Sequence, residues 1–445
     1  MSTVPTGWAS DRLKDVAAIN AVALSAGTDP DYEFDYLEIS NVEYHGIVDP
    51  NAIERLRFED APSRARRRVV AGSTVISSVR PNLQAVAFFP DAPAHFVCST
   101  GFNVVEPQSS RLLPQFAYYH LISENARQYF EAAATGVGYP AIGDKEFNAI
   151  AVPLPHLPEQ QRIAAYLDAS CAAIDAAVAA KRRQLETLDT LASSIINRAI
   201  TRGCEEHVSV NSTGIDWFPE VPSKWRIVRF KSLFRLIYRY PTYFNIEYVP
   251  EGIAEVRGEA LTPEGFIETL PDERYISPET SAQFPKTCLE LGDVVMSVRG
   301  TMGKIGLVTD KYAGANITAN LLRLSPDKRR VTGEFLRWLL RSTYFNEALN
   351  SSAPQTTIKT ITMPQLAKLR VALPPKPEQH KICNFLKTKV AEVKRIVSGI
   401  ETQIATLTAY RKSLIHECVT GQRRVTEADV ARASSGEPES MSPNR

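Results

Sequence analysis

The sequence predicts a mixed α/β (α+β) chain built twice: two similar globular units and two long antiparallel coiled-coil helices, related by a pseudo-two-fold internal repeat. Three observations carry this. Pro158-Glu159-Gln160-Gln161-Arg162-Ile163 returns 219 positions later as Pro377-Glu378-Gln379-His380-Lys381-Ile382. The repeat also reaches back: Trp8 and Lys14 lie 217 positions before Trp225 and Lys231, and Leu154 and Pro155 lie 219 before Leu373 and Pro374. Finally, each hexapeptide opens a long amphipathic stretch, and the two stretches end in Ile200-Thr201-Arg202-Gly203 and Val419-Thr420-Gly421-Gln422. A period near 220 is far too long for a solenoid, so it marks two globular units, each followed by a helix.

The first unit spans residues 1–152. Val69-Val70 and Thr74-Val75-Ile76 flank Gly72 and read as strands with a turn; Ala85 to Phe89 reads as another strand, and Leu112 to Phe130 has helical spacing. Pro153 and Pro155 break the chain before the first long helix, placed in 153–203. There Ile174, Val178, Lys181, Leu185, Leu188, Ala192, Ile195 and Ala199 step by four and three in turn, the heptad signature. The second copy, in 373–421, gives Val393, Val397, Ile400, Ile404, Leu407, Arg411, Leu414 and Cys418 at the same steps. Helices of about 40 residues extend roughly 60 Å, too long for either to bury its stripe on its own small unit. Packing on each other is the economical solution, and two-fold pseudo-symmetry makes them antiparallel. The alternative is that each helix belongs to its own domain core.

Residues 204–221 read as a polar linker with four acids and no base. The second unit, 222–372, repeats the first: Val294-Val295-Met296 after Gly292, a glycine turn, Leu307-Val308, then a helix over Phe335–Leu349. The polar residues 422–445 are expected to be disordered.

Apolar content of 44% and 23% charge are ordinary for a globular protein. The chain contains no run of 18 apolar residues and no apolar segment in its charged N-terminus, so neither a membrane span nor a secretory signal is expected. Six scattered cysteines without CxxC spacing suit reduced thiols in a cytoplasm. Net charge is only +1, yet residues 1–152 hold 12 Lys+Arg against 18 Asp+Glu, while 222–372 hold 21 against 15. The acidic first unit argues against nucleic acid on bulk charge. Phosphate loop, dinucleotide fingerprint, metal-binding and serine-nucleophile motifs are all missing, which favours a duplicated binding scaffold over an enzyme.

The doubled Leu-Pro-x-x-x-Pro-Glu-Gln-(Gln/His)-(Arg/Lys)-Ile lead-in, the junction Trp217-Phe218-Pro219-Glu220-Val221-Pro222-Ser223-Lys224-Trp225 and the strand–loop Gly292 to Gly300 resemble the specificity subunits of type I restriction–modification systems. The resemblance covers about residues 1–421. It implies two target-recognition domains, each reading one half of a split double-stranded DNA target. The helices would set the spacer and dock methyltransferase subunits, expected to be two, with restriction/translocase subunits as further partners. It also implies a non-catalytic chain without a cofactor of its own, S-adenosylmethionine, ATP and Mg belonging to the partners. A coiled-coil scaffold whose units bind peptides or proteins stays open as the other reading.

Base edges are read by side chains with defined donors and acceptors. Arg80, Asn82 and Gln84 follow a strand, and alternation would put them on one face if that strand continued. Arg299, Thr301 and Lys304 surround Gly300 and Gly303 in the second unit. Phosphate grip is a separate task. Arg64, Arg66, Arg67 and Arg68 form the dense basic run of the acidic unit; Tyr238 with Arg239, and Lys359, are the candidates of the basic one. Each also has a plainer reading as a solvated turn, a charged face or core packing.

Overall fold

The computed structural model describes residues 5–43, 46–47, 50–92, 95–216, 218–239, 246–298, 303–351 and 363–436 of the 445. The chain divides into two compact units. One takes residues up to 182 together with those from 401 onward; the other takes 183–400. The long helices Leu157–Arg202 and Lys376–Val419 each give one half to each unit.

In the first unit, strand Ala9–Arg12 pairs antiparallel with Ala151–Leu154, so the globular part closes where the long helix departs. Between them, strands 17–19, 102–107, 73–77 and 86–89 form one antiparallel sheet in that order. A second sheet has the order 54–57, 33–37, 96–99, 65–68, with a parallel pair at its centre. Both faces of the first sheet are buried. Val75, Ala87 and Val104 pack with Leu37, Phe96 and Cys98 of the second sheet. Ile76, Val86 and Val105 pack with Phe116 and Phe130 of the helices Pro114–Leu121 and Glu124–Ala133. Burial on both faces is why these strands read as nearly unbroken apolar runs.

The second unit repeats this plan. Arg226–Arg229 pairs with Arg370–Leu373, and strands 234–238, 321–326, 294–297 and 305–307 take the same order. A parallel pair, 253–256 beside 316–317, recurs as well. Each unit breaks its expected single helix in two. Ser123 caps the second segment by accepting from the Ala126 amide, and Thr343–Ser351 follows Gly333–Arg341 after Ser342. A side-chain oxygen that takes over an orphan amide favours a new helix start over continuation.

The Pro-Glu-Gln hexapeptides are explained by their glutamines. Gln160 is fully buried; its Nε2 donates to the carbonyls of Arg111 (2.9 Å) and Pro155 (2.9 Å), and its Oε1 accepts from the Leu113 amide (2.8 Å). Gln379 does the same with the carbonyls of Arg330 (2.8 Å) and Pro374 (3.0 Å) and the Thr332 amide (3.0 Å). Each clamps a long helix to the globular part that precedes it. At the other helix ends, Gly203 (φ +79°) lies against Trp225, and Gly421 (φ +71°) lies against Trp8 and Pro5. A Cβ on Gly421 would overlap the Pro5 ring, so glycine is required there both for its left-handed backbone and for space.

Within the first unit, Ile163, Leu167 and Cys171 from the start of the first helix share a core with Leu414, Ile415 and Cys418 from the end of the second. Within the second unit, Ile196, Ala199 and Ile200 from the end of the first share a core with Ile382, Leu386 and Val390 from the start of the second. Start meets end in both, so the helices run antiparallel. Ile174, Val393, Ile400 and Leu414 are buried; Val178, Leu185, Leu188, Ile195, Val397, Ile404 and Leu407 are half-buried, while the intervening 182–184 and 401–403 are exposed. The charged heptad position Arg411 is buried, and its Nε pairs with Asp175 at 3.1 Å.

Two expectations need correction. Residues 422–445 are not wholly without structure. Glu427–Ser435 is a helix opened by a capping box between Thr426 and Asp429, with Val425 buried and Val430 and Ala433 against the first unit's core. Residues 437–445 lie outside the described residues. The segment 204–221 is not merely a linker: Val210–Ser212 pairs with Glu220–Pro222, anchored by buried Phe218 and Val221. No membrane span is expected, and although the first long helix is long and apolar enough by length and composition alone to cross one, it carries Asp168 and Asp175 in that stretch. Its apolarity comes from alanines on a helix that packs on protein. Asp168 accepts from Tyr119 and Gln115 (both 2.7 Å), and Asp175 holds Arg411.

All six cysteines are free thiols, and burial pushes those of Cys98, Cys383 and Cys418 up to about 12. His120 lies in the first unit's interior, where burial lowers its imidazole from 6.5 to about 4. The folded state thus excludes a proton that the unfolded chain binds. This contribution is intact above pH 6.5 and is lost as pH falls from 6.5 towards 4, to a limit of about 3 kcal/mol. Urea melts of His120→Leu and the parent should therefore differ in their pH slope within that window. Parallel slopes would show that His120 does not titrate this way.

Candidate nucleic-acid interface

Strand register puts the candidate readers at one end of the first sheet in each unit. In the first unit, Ser77 at the end of its strand faces Phe102 at the start of the next. The chain does not continue as a strand. Ser77 Oγ donates to the Val79 carbonyl (2.8 Å), and Arg80 turns into the left-handed region (φ 49°). A 3-10 turn over Pro81–Leu83 follows, and Gln84 is left-handed again (φ 48°). Arg80 is exposed. Its guanidinium stacks 4.3 Å from the Tyr139 ring centre and donates to the Gly138 carbonyl at 3.4 Å.

The second unit has the same sheet end. Ser297 faces Leu321, Met296 faces Ile305, and Tyr238 pairs with Arg323 two residues in. Arg239, just past its strand, donates Nε to the Ala319 carbonyl at 3.4 Å. Lys304 is exposed, and its amide donates to Ser297 Oγ at 3.0 Å. Lys286 sits 5.7 Å from the centre of the Tyr238 ring. Arg299 and Thr301, which follow this strand in sequence, and Lys359 lie outside the described residues.

Residues 5–187 and 222–406 each match the family described as the Type I restriction modification DNA specificity domain. The chain belongs to this family. It is 22% identical over 435 residues to the putative type I restriction enzyme MjaX specificity subunit of Methanocaldococcus jannaschii, covering 95% of each chain. It is 21% identical to the EcoBI specificity subunit of Escherichia coli, over 72% of this chain and 67% of that one. Among solved structures, a chain from a study of complex assembly and conformational transition of the type I R-M system shares the fold. Its TM-score is 0.77 at 22% identity, covering 95% of this chain and 100% of that chain. The HsdS subunit from Thermoanaerobacter tengcongensis gives a TM-score of 0.53 at 21% identity, over 95% and 98%.

Within the two specificity domains, the other candidates divide. Gln84 is buried and its Nε2 donates to the Ile122 carbonyl at 3.1 Å, so it braces the turn instead of facing a ligand. The expected common face of Arg80, Asn82 and Gln84 does not exist, because the 3-10 turn replaces the strand; the Asn82 side chain lies outside the described residues. The arginine run is largely engaged inside the domain. Arg64 pairs with Glu38 at 2.7 Å, and Arg66 stacks on Phe58 at 4.6 Å. Arg67 reaches the Phe102 carbonyl and Asn103 Oδ1, and burial lowers its guanidinium below the usual arginine range. Arg68 is half-buried on the same strand. A charge run read along the chain hides this, because strand alternation and nearby carboxylates decide where each guanidinium goes.

Sequence reasoning gave no part to Asp293, the acid of the Gly292 to Gly300 motif. It is fully buried at the opposite end of its sheet. Arg323 Nε donates to its Oδ2 (2.6 Å) and Ser325 Oγ to its Oδ1 (2.6 Å). Arg323 further donates to Glu290 Oε1 (3.1 Å), and Arg235 joins through Glu290 and Ser325. Among the described residues, no group of three or more His, Cys, Asp or Glu is placed to hold a metal ion.

Proposed function

We propose that this chain is the DNA sequence-recognition subunit of a type I restriction–modification complex, each globular domain reading one half of a bipartite target. The observation that carries this is the doubled specificity-domain match laid over a doubled fold, whose equivalent sheet ends present Arg80 in one domain and Arg239 and Lys304 in the other. The chain positions DNA and leaves the chemistry to partners. Methyltransferase subunits dock on the long helices and bring S-adenosylmethionine; restriction subunits, where present, bring ATP and Mg. Exposed Leu191 and Tyr410, 219 positions apart on the two helices, offer a repeated apolar contact for such subunits.

Modular reading makes a clear forecast. Exchanging residues 1–152 for the recognition domain of a relative should change one half of the methylated sequence and leave the other. Methylome sequencing of cells carrying the exchange and its methyltransferase partner reads this out; change in both halves would contradict it. The acid excess of the first domain is the observation that favours the scaffold reading instead. Duplex binding by the assembled complex that weakens steeply with salt supports the DNA reading, and salt-insensitive or absent binding supports the scaffold.

A further inference from the structure

The three most exposed large hydrophobic side chains among the described residues are Val137 (104%), Tyr139 (72%) and Leu83 (60%). Leu83 is far in sequence from Val137 and Tyr139, yet Arg80 links all three. Its guanidinium stacks on Tyr139 and bonds the carbonyl of Gly138, next to Val137; its own carbonyl accepts from the Leu83 amide at 2.9 Å. Val137 is held out by a small closed finger. Thr135 and Ala141 exchange two backbone hydrogen bonds of 2.9 Å at its base, and Gly136 (φ +110°) and Gly138 (φ +85°) turn the chain on either side of Val137. The base is fixed to the sheet end, because the Arg80 amide donates to the Pro140 carbonyl (2.7 Å) and the Ile142 amide to the Ser78 carbonyl (2.9 Å).

A finger hydrogen-bonded at its base that keeps an aliphatic tip in water, over an arginine held in the left-handed region, is a costly arrangement to hold without a partner. The tip offers only a few hundred Å² of surface, well short of the roughly 800 Å² per side that a stable protein interface buries. A narrow apolar point beside a guanidinium and an aromatic ring fits a nucleic-acid groove better. Apolar side chains placed between base steps unstack them, and arginine holds the flanking backbone or base edge.

We propose that the finger Thr135–Ala141 is a wedge of the first recognition domain. Val137 enters the duplex at a base step of the first half-site, while Arg80, positioned by Tyr139, holds the neighbouring base edge or phosphate. This rests on the DNA-recognition reading and adds the residues that distort the DNA.

The test uses the full chain assembled with its methyltransferase partner and a duplex bearing the target, with 2-aminopurine placed in turn at each position of the first half-site. The parent should brighten at one step, reporting local unstacking. Val137→Ser should abolish that signal, and both Val137→Ser and Tyr139→Ala should weaken binding to the target duplex about tenfold. Both side chains are exposed, and thermal melts of the variants check that the fold is kept. Unchanged fluorescence and affinity in the variants would overturn the wedge while leaving DNA recognition standing. Loss of methyltransferase assembly with DNA reading intact would also overturn it, making the finger a protein contact. A parent complex that binds no bipartite target would remove the recognition reading, and the wedge with it.

Discussion

Replacing Asp293 with alanine is expected to destabilise the second domain by roughly 3–5 kcal/mol, because it strands a buried cation. Arg323 is 3% exposed and Asp293 is 0% exposed. Without the carboxylate, the guanidinium keeps, among the described residues, Glu290 and the Lys286 carbonyl, each at 3.1 Å, and Ser325 Oγ loses its acceptor. The pair itself contributes little over an apolar pair of similar volume, since two desolvated charges roughly offset their attraction. The double variant Asp293→Leu with Arg323→Met should therefore recover most of the loss. Denaturant titration of the three proteins decides this, and a single-variant cost below about 1 kcal/mol would show the network to be dispensable. The first domain solves the same position with an uncharged group: Ser73, also buried, donates to the Val70 carbonyl at 2.6 Å. Because Asp293 lies at the far end of the sheet from Lys304, the variant should lose stability without altering the sequence read.

Four residues inserted between Leu185 and Leu191 are expected to lengthen the unread spacer while both half-sites persist. The insertion adds about 6 Å of helix, close to two base-pair steps of roughly 3.4 Å. It rotates the following residues by about 40° beyond a full turn, so the stripe of Leu185, Leu188 and Ile195 still faces its partner helix. The surroundings suit the change. Arg182–Gln184 and Thr190 are exposed, and no described interaction of this stretch except the leucine stripe and side-chain bonds within the helix, such as Thr190 to the Glu186 carbonyl, constrains its length. Methylome sequencing of cells carrying the variant measures the spacer directly. The same spacer in parent and variant would mean that helix length does not act as a ruler.

The repeat and its helices were legible because both are periodic signals that need no tertiary knowledge. A step of four and three repeated in Ile174–Ala199 and Val393–Cys418 fixes which face is covered. Gln160 and Gln379 were visible as a motif but not as clamps, since their partners are backbone groups 49 residues earlier that the sequence cannot place. The helix after Thr426 carries a sequence signal, Thr-x-x-Asp capping, which the overall polarity of the segment masks. The candidate interface is the least legible part: Arg80, singled out because it follows a strand, is exposed, but Gln84 is buried because the chain turns at Arg80 instead of extending. The exposure of Val137 and Tyr139 is not legible in a Gly-Val-Gly-Tyr run, because it arises only when the loop's base is tied to Ser78 and Arg80.

The first unit is discontinuous, and this sets an order of events on the ribosome. Leu414, Ile415, Cys418 and Val419 complete the interior formed with Ile163, Leu167 and Cys171, and they are translated only after the whole contiguous second unit. At ~5–20 residues per second that interval is roughly 10–40 s. The earlier-made half must therefore wait with an unfilled apolar seam, and the later-made half matures first. Nascent-chain proteolysis should find 183–400 protected before 1–182 is.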